Sequence, residues 1–392
     1  MAAAFAVTTS GLLAVYLTGS LAVEVRHQLG IDESQLGVAV SAFFAASAAC
    51  ATVSGRLADR LGGRRVLRIA LLPAFASLVV IGALVHAWWS LVVALLLAGV
   101  ANGAIQPASN RYLARTVRAE RQGLAFGVKQ AAIPVATLVS GVAVPAVALT
   151  VGWRWAFLGS ALLVVACGVA IPRRAPARRA TPAAADGSTS GFDTASFPRW
   201  PLVVLAGGVG LGAAAGVALG SFFVVAATDT GIPQAQAGLL AALGSAASLV
   251  ARLSLGHRAD RRSSGHLRVV AAMLATGVVG YLLLVAAQPA LVVPAAILAY
   301  GAGWGWAGLV NFATTQLYPA VPGRATAIVQ VGASSGGALG PLVFGYVAAG
   351  AGFPIAWGLT AAWATGAAVL VLYGRHLALA RLRAHPVAGP EG

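Results

Sequence analysis

Gly55-Arg56-Leu57-Ala58-Asp59-Arg60 returns 201 positions later as Gly256-His257-Arg258-Ala259-Asp260-Arg261. The same interval carries Gly30, Ile31, Gln35 and Gly37 onto Gly231, Ile232, Gln236 and Gly238, Ser47 onto Ser248, and Asn110 onto Asn311. Matches of Gly, Ala or Leu carry little weight in so apolar a chain. Matches of Asp and Asn carry more, because the 392 residues contain six of the first and three of the second. An ungapped register of this length makes the chain two copies of one unit. A repeated hydrophobic unit of about half a chain is the plan of a duplicated membrane carrier.

Composition agrees. Hydrophobic residues make up 59% of the chain, charged residues 9%, and the mean hydropathy is +0.85. A soluble domain averages about 25% charged residues, so the bilayer is the main solvent here. Apolar runs of about 20 residues read as spanning helices. Twelve are expected, near 3–23, 35–55, 67–86, 89–110, 122–147, 153–171, 201–226, 235–256, 267–287, 289–313, 325–349 and 354–374. No charged leader or cleavage site precedes the first run, which is read as a retained helix and not a signal peptide.

The net charge of +16 is topological. Arginines cluster after the even-numbered segments: Arg56, Arg60, Arg64, Arg65 and Arg68 after the second, Arg111, Arg115, Arg118 and Arg121 after the fourth, Arg173 to Arg199 after the sixth. Arg252 to Arg268 end or follow the eighth, Arg324 follows the tenth, and Arg375, Arg381 and Arg383 end the chain. Only Arg26 and Arg154 follow odd-numbered segments. By the positive-inside rule both termini and every even-numbered connection face the cytoplasm of a cell-membrane protein. A charge so placed leaves no role for nucleic acid.

Cys50 and Cys167 fall inside predicted helices without metal-ligand spacing, and the histidines form no ligand cluster, so neither a metal nor a cofactor is expected. Residues 172–199 break the apolar pattern with arginines, prolines and Asp186-Gly187-Ser188-Thr189-Ser190-Gly191. They read as a cytoplasmic linker between an N-terminal bundle, 1–171, and a C-terminal bundle, 200–376, with 377–392 as a tail.

The stretch Gly55-Arg56-Leu57-Ala58-Asp59-Arg60-Leu61-Gly62-Gly63-Arg64-Arg65 resembles the helix 2–3 loop signature of the major facilitator superfamily, with Gly63 where the first of a basic pair is usual. Gly152-Trp153-Arg154-Trp155-Ala156-Phe157 is similar to that family's start of helix 6. The second copy keeps Gly256, Asp260 and Arg261 but has Ser263 at the position of Gly62. The resemblance spans essentially the whole chain. It implies an all-α membrane protein of twelve transmembrane helices in two pseudo-symmetric six-helix bundles, with alternating access to a central cavity. It also implies a conformational latch carried by Gly55, Asp59, Arg60, Gly62 and Arg64, echoed at Asp260 and Arg261, in which the acid bridges to the helix 11 region. Two family features are missing. Gly99 stands where proton-coupled members often carry a helix 4 arginine. Helix 5 has Pro134 but lacks the glycine spacing of many drug exporters.

Ionisable groups deep in a membrane are costly and therefore functional candidates. All ten acids fall in loops, tails or helix ends. Lys129, the single lysine, lies eight residues beyond Arg121, about 12 Å into helix 5 at ~1.5 Å per residue. Its repeat partner is Gln330, so a polar group is expected at matching depth in both halves. Two readings compete for Lys129: an ammonium that holds an anionic substrate or titrates, and a lysine that snorkels to the interface. Arg252 is a second candidate, set against a role as an interfacial anchor. The resemblance places helices 1, 4, 7 and 10 around the cavity, which adds Asn102, Gln106, Tyr16, Tyr300, Trp304 and Asn311 as substrate-binding candidates. Trp304 and Trp306 should point to opposite sides.

The expected function is secondary transport of a small organic solute, an organic anion being favoured by the lone lysine. The partners are that solute, a coupling ion if one is used, and lipid, and the carrier is expected to be monomeric. The alternative is an exporter of hydrophobic compounds or drugs by proton antiport. A non-transporting sensor would want a larger soluble extension, and an enzyme a cluster of catalytic groups that the chain lacks.

Overall fold

The computed structural model describes residues 1–117, 122–171, 199–259, 265–318 and 322–384. The described residues contain helices and no strand. Eleven helices are long and apolar enough to cross a membrane, and Trp153–Val169 is a shorter apolar one. In chain order the twelve are α1 (Ala2–Ser20), α2 (Glu33–Leu61), α3 (Gly63–Ala83), α4 (Trp88–Thr116), α5 (Gln122–Gln130 with Ala132–Ala143), α6 (Trp153–Ala170), α7 (Arg199–Asp229), α8 (Gln234–Ala259), α9 (His266–Val285), α10 (Pro289–Leu298 with Ala307–Leu317), α11 (Pro322–Ala351) and α12 (Phe353–Ala384). They alternate in direction, so one end of the molecule gathers the arginine-rich connections and the other is arginine-poor.

Several ends differ from the hydropathy reading for one reason: hydropathy registers the apolar middle of a helix, whereas polar turns continue it. α2 runs on to Leu61 and α12 to Ala384. The first segment is the converse case. α1 stops at Ser20, and a separate short helix, Ala22–Leu29, follows. Residues 172–198, Asp260 and Arg261 lie outside the described residues.

The recurring residues now have physical roles. Gly30 and Gly231 take the left-handed backbone, φ +63° and +93°, at equivalent turns, where a side chain would be strained. The following Ile31 and Ile232 are both buried. In the first copy Asp32 caps α2 by accepting from Gln35 N–H at 2.9 Å, and the Gln35 side chain returns a bond to Asp32 N–H. That reciprocal pair satisfies two of the free donors at a helix start.

Close approach of helices follows a glycine pattern, as expected where lipid supplies no hydrophobic drive and packing must do the work. Gly332, Gly336 and Gly340 of α11 lie against the backbone of Ala206, Gly210 and Ala214 of α7. Gly99 and Gly103 of α4 lie on the carbonyls of Phe43 and Ser47 of α2. A side chain at Gly99 would collide with α2. The equivalent contact in the second copy swaps the sizes. Gly244 of α8 makes room for Tyr300 of α10, where α2 carries Phe43 and α4 carries Gly99. The second copy thus raises its aromatic ring from α10.

α1 and α7 are the most deeply buried of the long helices, because they meet at the junction of the halves. The halves close at the arginine-poor end. Gly19 of α1 meets Ser221 of α7, Gly37 of α2 meets Pro341 of α11, Gly345 of α11 meets Glu33, and Gly141 of α5 meets Gly238 of α8. Toward the other end the α2–α11 seam parts. Gly337 still touches Phe44, whereas Gln330, seven residues back on that same face, is exposed.

Candidate substrate site between the two halves

α5 breaks where the chemistry demands it. Pro134 has no N–H to give to the carbonyl four residues back, that of Gln130, and the helix is interrupted at Ala131. Arg252 of α8 takes up the freed acceptor, with Nη1 donating to Gln130 O at 2.9 Å. Its Nη2 donates at 3.0 Å to Trp304 O, where α10 loosens into a wide turn, Ala299–Trp304, ahead of Ala307. The stem of Arg252 runs over Gly308. Arg252 is only 7% exposed, and its Nε has no acceptor. The expectation of an interfacial anchor is therefore corrected: depth along α8 can be counted from sequence, but the direction of the side chain cannot, and Arg252 points inward. Its bond to Gln130 joins the halves.

Lys129, the preceding residue on α5, turns the other way. Its Nζ donates to Asn110 Oδ1 at 2.6 Å and to Gln106 O at 3.3 Å, both on α4, and the residue is 4% exposed. The ammonium is satisfied inside its own half and does not reach lipid. Asn102 Nδ2 donates to Ser47 Oγ at 2.8 Å, and Gln106 Nε2 donates to Asn102 Oδ1 at 3.3 Å. A polar chain thus runs from α2 through α4, whose Gln106 carbonyl and Asn110 side chain hold Lys129 of α5. The second copy does not repeat it. Gln330 is exposed, Asn311 is half-buried, and no hydrogen bond joins them among the described residues. Ser248, the counterpart of Ser47, is buried with its hydroxyl unpartnered.

Aromatic rings fill the centre. Tyr16 of α1 meets Trp304 edge-on, centroids 5.7 Å apart, across the halves. Tyr300 lies 6.0 Å from Trp304 and 5.5 Å from Phe223. Trp304 sits against Gly216 and Gly220 of α7, while Trp306 packs on Gly212 and Leu274 in the second half's own core. Gly11 against Ile105 is the first-copy equivalent of Gly212 against Trp306.

The stretch after α2 is arranged within one half. Asp59 is ion-paired with Arg111 of α4, and Arg111 Nη2 also donates to Asp59 O at 3.3 Å. In the sequence Arg111 reads only as one of the basic residues after helix 4. Among the described residues no bridge joins Asp59 to α11, and its acid is paired within its own half. Gly55 lies near Pro107, Arg60 is exposed, and Arg64 is half-buried. Gly62 turns the chain at φ +85°. Gly63 explains the departure from the basic pair: a Cβ there would lie 2.5 Å from Ala108 O of α4.

A family model described as Major Facilitator Superfamily matches the chain twice, over residues 3–216 and 205–387. The chain belongs to that superfamily. This facilitator is 27% identical over 265 residues to a chloramphenicol resistance protein of Streptomyces lividans, covering 67% of each chain. Its fold is similar to that of a bacterial homolog of the human lysosomal transporter Spinster. In the inward-facing and occupied conformation of that protein the TM-score is 0.70, with 13% identity over 100% of this chain and 98% of the other. In the unoccupied conformation the TM-score is 0.66, with 13% identity over 97% and 96%. At such identity the likeness carries the fold alone. With the family it makes the protein a multi-pass membrane transporter of small molecules that works by alternating access.

Proposed function

We propose that this facilitator carries a small organic anion across the cell membrane, with its arginine-rich end and both termini in the cytoplasm. The carrying observation is a pair of buried cations without counter-ions. Lys129 ties α5 to α4, Arg252 reaches from α8 to the carbonyl of the next residue, Gln130, and each cation is held by neutral oxygens only. Among the described residues the ion pairs are Arg26–Glu33 and Arg111–Asp59, so no carboxylate serves either cation. Charge buried without a partner is costly, and an anionic solute arriving from the parted end supplies the missing sign. Asn102, Gln106, Tyr16, Tyr300 and Trp304 shape the rest of the site, and Gln330 and Asn311 line the approach. Residues 1–171 and 200–376 act as the two moving bodies of a monomer, joined by 172–199, with 377–392 as a tail. Asp59 exchanges Arg111 for the α11 side when the cytoplasmic end closes, with Asp260 and Arg261 in the equivalent role. No cofactor or catalysis is involved.

The test is charge movement in proteoliposomes on addition of organic anions, cations and neutral solutes, for the parent protein and Lys129→Gln. Anion currents that fall at least about tenfold in the variant, the loss of ~1.4 kcal/mol of binding, support the reading. Responses confined to cations or neutral solutes, and indifferent to Lys129, overturn it.

A second reading has its own support in the chloramphenicol resistance relative and in the rings of Tyr16, Tyr300 and Trp304, which suit a partly apolar ligand. In it the chain exports hydrophobic compounds. Raised tolerance to a panel of such compounds in expressing cells, unaffected by Lys129→Gln, selects this reading over the first.

A further inference from the structure

The two copies begin their second helices differently. Glu33, at the head of α2, is paired with Arg26 at 2.6 Å. Its counterpart at the head of α8 is Gln234, and the position equivalent to Arg26 is Ala227. Gln234 lies instead beside Glu24 of the short helix Ala22–Leu29, which packs on α1 and, across the seam, on α7. Both carboxylate oxygens of Glu24 and the amide nitrogen of Gln234 are shut off from solvent. None of the three closes a hydrogen bond of ordinary length.

The neighbouring charges are engaged or turned away. Arg26 bonds Glu33 and, at 3.3 Å, the carbonyl of Ile31. His27 is exposed, as is Asp229 at the end of α7. α1 brings no charged side chain, and its Tyr16 faces Trp304. The first turns of α8 bring none either. Burial is the largest influence on Glu24 and raises its carboxyl above the ordinary range. Its own backbone N–H and the Gln234 amide oppose this by a smaller amount. A bare carboxylate at this place would be a buried, unpaired charge, whereas a protonated one is neutral and can donate to a passing acceptor.

We propose that Glu24 is the proton-binding site of the arginine-poor gate: it is protonated while the seam beside Gln234 is shut and ionises when the halves part there and water reaches it. This deepens the carrier reading, and rests on it, by naming a proton as the ion linked to the conformational cycle. The proton comes from, and returns to, the solution on the arginine-poor side. The sign follows from linkage. The shut form has the higher pKa and binds the proton, so it is fully favoured below the open-form value, near the ordinary 4.5. That advantage falls as pH rises, and it is gone above the raised value of the shut form.

The experiment places spin labels at Val151→Cys and Gln288→Cys, exposed positions on the two halves at that end, after Cys50 and Cys167 are replaced by Ala. Inter-label distances are recorded in lipid nanodiscs from about pH 4 to about pH 9. The parted population should rise about tenfold per pH unit within the window, one proton being linked. Glu24→Gln should stay shut at every pH, and Glu24→Asp, which still titrates, should keep the dependence. A Glu24→Gln protein that titrates like its parent, or a parent whose distances ignore pH, overturns the proposal. Solute flux is measured on the same proteins. Distances that follow pH without any flux sink the carrier reading and leave the proton site standing, while flux with pH-blind distances does the reverse.

Discussion

Replacing Arg252 by Leu isolates one bond between the halves. Arg252 makes two charge-assisted bonds to carbonyls, at 2.9 and 3.0 Å, and such bonds are worth about 1.5–3 kcal/mol each. The bond to Trp304 lies within the second half, so it is lost equally from every conformation and costs stability only. The bond to Gln130 crosses the halves and is present only while they are near one another. One bond is therefore differential, and the conformational equilibrium should move by about 1.5–3 kcal/mol, a factor of ~12 to 150, away from the form described here and toward one in which α5 and α8 stand wider apart at the arginine-rich end. Spin labels at the exposed Thr116 and Gln316 on the two halves report that width. Arg252→Lys should fall between, since an ammonium is a single point donor and cannot span both carbonyls as the planar guanidinium does. If Arg252→Leu folds to normal yield and its distance distribution matches the parent within a factor of about two (~0.4 kcal/mol), the bond does not discriminate between the forms and the reasoning fails.

Two further outcomes follow from packing and capping. In Gly336→Val the new Cβ would land on the carbonyl of Gly210, so α7 and α11 must separate. The cost should be about 1–3 kcal/mol, seen as a lower melting temperature in detergent, whereas Gly350→Ala, with nothing within 4 Å, should melt like the parent. Asp32→Ala removes the cap of α2 and should cost ~1 kcal/mol near neutral pH. The bond from Gln35 N–H, with the Ser34 hydroxyl, holds the Asp32 carboxyl below its ordinary 3.8. The difference from the parent should be complete above 3.8 and fade as pH falls through the lowered value. A gap that persists unchanged in strong acid would count against the cap.

The twelve spans and the duplication could be read from the sequence because polar residues are so scarce that each one marks a position in the repeat. Asn110 and Asn311 fix the register even though only Asn110 holds a lysine. Direction around a helix was the missing quantity. Arg252 read as an anchor by depth alone, yet α8 turns it inward onto a carbonyl that Pro134 had released on α5. Neither residue signals the other, since the contact joins positions 122 residues apart. Glu24 read as an acid at a helix end, because nothing in one dimension shows that Ala22–Leu29 folds back against α7. The exchange of Phe43 and Gly99 for Gly244 and Tyr300 was hidden for a related reason, since each residue alone breaks the repeat.

The contacts that shut the arginine-poor end are flat. Gly19 on Ser221, Gly37 on Pro341 and Gly141 on Gly238 set main chain against main chain at their nearest points. Such faces can part and meet again many times without sorting rotamers, which keeps each closure quick and faithful. The same flatness makes the seam sensitive to any added bulk. A methyl group at one of these glycines would act as a wedge, and the damaged protein would still fold and insert. Heritable defects at these positions would therefore surface as a door that fails to shut, with leakage as the symptom and normal abundance in the membrane.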